Sequence, residues 1–146
     1  MTPKKQIFLF IVIIVGSSLI GSCNKNGSDL ITSGNELVGT WVLTKIIVAY
    51  PPPQGKTELT PQQANMTMTI IIKNDKTLQL IQNTQGRIIN ESGTWSVDNG
   101  ILTAVSISGK ITLPYRINGN ILQLDTTEID AQTGNTLPIT LEFTKQ

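Results

Sequence analysis

The sequence has no histidine, and its only cysteine is Cys23. No disulfide can therefore close within the chain. A zinc site of Cys and His ligands cannot be assembled, nor can a nucleophile be activated by a His base. Charge is scarce as well. Only 14% of the 146 residues are Asp, Glu, Lys or Arg, against about 25% in ordinary soluble domains. Net charge is +1, and without residues 1–22 nine basic side chains face ten acidic ones. A near-neutral body with no runs of like charge has no footprint for nucleic acid. No apolar run reaches the roughly 20 residues that a spanning helix needs. These gaps lead us to expect a protein that is not an enzyme, with no cofactor and no metal.

What is present begins with an address. Lys4 and Lys5 precede the apolar run at 7–15, which Gly16, Ser17 and Ser18 then break. A short apolar run behind two positive charges reads as a secretory signal over 1–22. Leu19-Ile20-Gly21-Ser22-Cys23 resembles the lipobox of bacterial lipoproteins. That resemblance implies a diacylglycerol on the Cys23 thiol and cleavage just before it. Palmitate-type acyl chains on Cys23 then hold the protein to a membrane, since about 0.8 kcal/mol per buried CH₂ makes several chains a firm anchor. The expected place is the bacterial cell envelope, at the outer membrane, facing the periplasm or the surface. Residues 23–36 contain Asn26-Gly27-Ser28 and Ser33-Gly34-Asn35 and lack an apolar period. They read as a lipidated, flexible tether ahead of one domain over 37–146.

From Leu37 onward the apolar period is two. Ile139, Leu141 and Phe143 alternate with Thr140, Glu142 and Thr144, and Ile111, Leu113, Tyr115 and Ile117 with Thr112, Pro114 and Arg116. Such alternation rich in Ile, Val and Thr predicts strands. Eight are expected: 40–49, 66–72, 77–82, 87–97, 101–107, 111–117, 121–127 and 137–144. Turn chemistry divides them, most clearly at Asp98-Asn99-Gly100, a hairpin signal of the type I′ kind. The one long link, 50–65, holds Pro51, Pro52 and Pro53, and Thr60-Pro61 there can begin a short helix with Thr60 as its cap. The expected fold is all-β, an eight-stranded antiparallel up-and-down meander. Closing it into a barrel removes the free edges, with a two-sheet sandwich as the competing architecture.

Leu37-Val38-Gly39-Thr40-Trp41-Val42-Leu43 resembles the opening Gly-x-Trp strand of lipocalins. Gly93-Thr94-Trp95, Asn99-Gly100-Ile101-Leu102, Tyr115-Arg116-Ile117 and Ile121-Leu122-Gln123-Leu124 follow in the order found in the short lipocalin-like lipoproteins of Bacteroidetes. The resemblance spans nearly all of the mature part. It departs at the proline-rich link, at the missing C-terminal helix and at the missing disulfide. It implies a barrel that binds a small hydrophobic ligand, with Trp41 plugging the closed end. In lipocalins an arginine often packs on this tryptophan, and the chain has only Arg87 and Arg116.

The candidate ligand wall is Trp41, Met66, Met68, Leu78, Leu80, Trp95, Tyr115 and Phe143, for which core packing is the competing reading. A filled barrel that meets an envelope partner through its loops, chiefly 50–65, is the alternative function. Which protein that partner is, the residues do not say. Gly55-Lys56-Thr57 lacks the upstream glycine of a phosphate loop. Glu91, Asp125, Glu128, Asp130 and Glu142 are acids on the later strands and loops, and solvated strand faces account for them better than catalysis or calcium.

Overall fold

A computed structural model of the chain describes residues 34–131 and 133–146. The signal peptide at 1–22 and the first eleven residues of the expected tether, Cys23 among them, lie outside them. Nine antiparallel strands are present: β1 (Gly39–Ala49), β2 (Lys56–Leu59), β3 (Met66–Ile72), β4 (Thr77–Thr84), β5 (Arg87–Asp98), β6 (Ile101–Ser106), β7 (Gly109–Asn118), β8 (Ile121–Ile129) and β9 (Thr136–Lys145). Each of the eight expected strands is among them, with ends moved by no more than two residues. The ninth, β2, is a four-residue addition that pairs with the second half of β1.

The sheet runs β1-β3-β4-β5-β6-β7-β8-β9, and β9 returns to β1. That ladder closes an eight-stranded up-and-down barrel. Tight turns allow the meander. Asn99 and Gly100 both have positive φ, at 47° and 75°, as a type I′ hairpin demands. Gly93 serves a different need. A Cβ there would lie 2.1 Å from the Val105 carbonyl oxygen on β6, so only glycine lets these two strands approach.

Residues at alternate positions fill the interior. Trp41, Leu43, Ile46 and Val48 come from β1, Met66, Met68, Ile70 and Ile72 from β3, and Leu137, Ile139, Leu141 and Phe143 from β9. β1 keeps its apolar face inward past position 44 because the ladder with β9 shifts register between Leu43 and Lys45. A bulge inserts one residue and so restores the alternation.

The two ends of the barrel differ. At one, a 3-10 turn, Asn35–Leu37, lies across the strand ends. Its Leu37 is fully buried, and the Trp41 indole N–H donates to the Leu37 carbonyl at 2.7 Å. Gly34 packs against Trp95 and Val97, so the body begins slightly ahead of the expected position 37. At the other end the wall parts in two places. β1 pairs with β3 only from Gly39 to Val42, after which β2 takes its edge. β7 pairs with β8 only from Tyr115 with Leu124 to Asn118 with Ile121. We call these the plugged end and the open end.

In the 50–65 link, Thr60 and Gln63 exchange reciprocal hydrogen bonds, backbone N–H to side-chain oxygen in each direction. That is the expected cap. The helix it would start does not continue, and the chain makes a single turn into β3.

Candidate functional site

All eight candidate wall residues face the barrel interior. Trp41, Met66, Met68, Trp95, Tyr115 and Phe143 are buried, and Leu78 and Leu80 are half-buried against the same core. Trp41 and Phe143 at the plugged end have no exposed surface. They touch other side chains from every direction and leave no wall to line.

Lysines hold both tryptophans from outside. Lys145 Nζ stands 5.2 Å from the Trp41 ring centroid and Lys76 Nζ 4.1 Å from that of Trp95. A cation over an aromatic face is attracted by the ring quadrupole. The arginine that the lipocalin likeness implies over Trp41 is replaced here by lysine. Arg116 instead grips Asp125 on the outer wall through two nitrogens, at 2.7 and 3.0 Å. Sequence reasoning missed both lysines: Lys145 at the end of β9 reaches Trp41 of β1 only through barrel closure, and Lys76 reaches Trp95 across the β4–β5 hairpin, where the Trp95 backbone N–H donates to the Lys76 carbonyl.

Two concavities mark the described surface. One, of about 120 Å³, lies on the outer wall among Arg116, Ile121, Gln123 and Glu142. The other, of about 190 Å³, lies at the open end between Tyr50, Pro51, Pro52, Pro53 and Gln54 on one side and Asp130, Thr133, Asn135 and Leu137 on the other. Neither contains any of the eight candidate wall residues.

A model for a domain of unknown function, DUF5004, matches residues 20–141. The chain belongs to that family. Among solved structures, this DUF5004 chain is similar to the lipoprotein YedD from Klebsiella pneumoniae subsp. pneumoniae MGH 78578. That likeness has 14% identity over 70% of each chain and a TM-score of 0.41. No curated protein matches.

The acids of this DUF5004 barrel separate into distinct settings. Asp125 and Glu142 sit on the outer wall, where Asp125 accepts from Arg116 and Thr140, and Glu142 from Gln123 with Lys45 3.9 Å away. Glu91 faces inward from β5, where Ser106 donates to it at 3.0 Å and Ser108 donates to its other oxygen. Glu128 faces inward from β8 opposite Leu137. Its Oε2 is buried with no hydrogen-bond partner. Burial, reinforced by the nearby Asp130 charge, pushes the Glu128 carboxyl up to about 7. Tyr50 is raised as well, first by burial and then by Asp130 and Glu128. Glu128 and Asp130 thus set two acidic side chains close together at the open end. Among the described residues no three Asp or Glu side chains gather as a metal would require.

The large apolar side chains left exposed are Ile81, Ile88, Val105, Ile107 and Ile129. Ile88 is the second residue of β5, Ile107 lies in the β6–β7 turn and Ile129 ends β8. In an antiparallel meander those three positions belong to one end, the open one. Nothing in the sequence distinguished it, since each isoleucine there is one more member of an alternating run.

Proposed function

We propose that this chain is a non-enzymatic lipoprotein of a bacterial cell envelope, anchored through Cys23, which meets a protein partner with the open end of a packed barrel. The lipobox at 19–23 supports the anchor. Polarity supports the docking role and is the observation that carries it. The chain enters at the plugged end through Gly34, while Ile88, Ile107 and Ile129 crown the opposite end. Ile107 is 99% exposed, and apolar groups gathered at one end of a soluble body mark contact surfaces. Its position beyond the tether turns that surface away from the lipid.

Two measurements test this reading. Labelled palmitate fed to the native host enters the chain, and Cys23→Ser abolishes incorporation. A photo-crosslinking residue placed at Ile107 captures a discrete envelope partner, whereas one at Asn99, on the plugged end, does not. Equal capture from both positions would refute the polarity.

The original expectation of a small hydrophobic ligand keeps one specific support. Inward-facing Leu80, Ile89, Ala104, Ile111 and Leu113, around the open end, are only half-buried, so an apolar molecule has somewhere to enter between the parted strands. Native mass spectrometry of chain purified from its host reads this directly. A lipid-sized adduct supports it, and the bare mass opposes it.

A further inference from the structure

We propose that the partner engages this barrel by adding an extended strand, one bearing a lysine or arginine, to the free edge of β8 in the gap that faces β7. The inference rests on the docking role of the open end and specifies its mode.

The gap has a chemical origin. Tyr115 donates its N–H to the Gly100 carbonyl, on the β6 side. Hydrogen-bonding groups of successive residues in a strand point to opposite edges. The edge of Pro114 is therefore the one toward β8, and proline has no N–H to offer there. The β7–β8 ladder stops at that point. By the same alternation, Arg116 and Gln123 face each other across the surviving ladder, so Asp125, Thr127 and Ile129 turn their N–H and C=O groups into the gap. Among the described residues, no backbone hydrogen bond from a loop or turn reaches residues 125–129. The other edge of this segment is fully occupied by β9, from Asp125 with Thr140 to Ile129 with Thr136. β8 therefore presents one complete, rigidly backed edge of the kind that takes up an extended peptide.

Charge selects the occupant. Glu128 faces inward from this segment, and its buried Oε2 lacks a partner. Burial, and after it the charge of Asp130 two residues later, raises the Glu128 carboxyl, which a cation brought beside it would lower. An incoming strand that turns a lysine inward brings a donor and a positive charge to the buried Glu128 Oε2, and apolar residues on either side of it meet Leu113 and Ile111 of β7. A glutamate at the same place would add a third negative charge.

The probe is the capped peptide Thr-Val-Thr-Lys-Thr-Val-Thr at millimolar concentration, with the Glu analogue as control. The lipidated full-length chain in detergent micelles is followed by hydrogen exchange. The lysine peptide slows exchange over 125–129 by about tenfold, as a newly formed ladder would, and the glutamate peptide leaves it unchanged. Thr127→Pro removes the seam-facing donor without touching the β9 ladder and abolishes the protection. Glu128→Gln retains protection and loses the preference for lysine. Protection by both peptides alike in the native chain, by neither, or unaltered in Thr127→Pro overturns strand addition. Capture at Ile107 does not depend on the docking mode. Cross-links without seam protection would therefore remove this inference alone, and loss of both would remove the docking role with it.

Discussion

At the scale of single residues, the plugged end depends on Trp41 and the open end on Glu128. Trp41 fills the base of the barrel and also satisfies the Leu37 carbonyl. Trp41→Phe keeps most of the ring but orphans a buried acceptor, which costs about 1–3 kcal/mol. Trp41→Ala adds a cavity and costs about 3–5 kcal/mol. Urea midpoints at constant slope read both, and equal losses for the two variants would contradict the two-part role. Glu128 gives stability a pH dependence of known sign. Its folded carboxyl titrates at about 7 and its unfolded one near 4.5. The native state therefore holds a proton that the unfolded chain has released between those values. The contribution of Glu128 to stability is greatest below pH 4.5, falls as pH rises toward 7, and levels off above it. Glu128→Gln is expected to leave the urea midpoint unchanged at pH 4.5 and raise it at pH 8. A midpoint raised equally at both values would show that the charge is not the cause.

Among the elements, the strands were legible and their partnerships were not. Alternation in β9 names its inward residues as Ile139, Leu141 and Phe143, and the Asn99-Gly100 pair names its turn, because both signals are local. β2 escaped since four residues after a proline-rich stretch, Lys-Thr-Glu-Leu, carry no period of their own. They become a strand only because β1 leaves β3 after Val42 and has an edge to share. The seam at Pro114 was visible as a proline in a strand, but which edge it disarmed depended on the Tyr115–Gly100 bond. Hydrogen exchange should grade the elements by these pairings. β9 is laddered along both edges, to β8 and to β1, and is expected to exchange last. β2, held along one edge by four residues, and residues 109–114 of β7 exchange first. Protection of 109–114 equal to that of β9 would mean that the wall does not part in solution.

For the whole molecule, the point at which the chain enters the barrel decides what the barrel can reach. Gly34 lies eleven residue steps from Cys23, and at ~3.6 Å each these span no more than about 40 Å. Strands rising ~3.3 Å per residue put the two ends of an eight-residue barrel wall about 25 Å apart. With Cys23 acylated, the plugged end stays within tether range of the bilayer, and in an upright barrel the open end stands roughly a barrel height further out. A second cysteine can test this in the lipidated chain, whose Cys23 thiol is then blocked. A dye on Asn99→Cys, in the β5–β6 turn of the plugged end, transfers energy to a labelled lipid in a vesicle more efficiently than the same dye on Ile107→Cys. If Ile107→Cys transfers as well or better, the barrel lies on its side or bends its apolar rim into the lipid. The exposed isoleucines would then be membrane contacts, and the partner would have to be sought elsewhere on the wall.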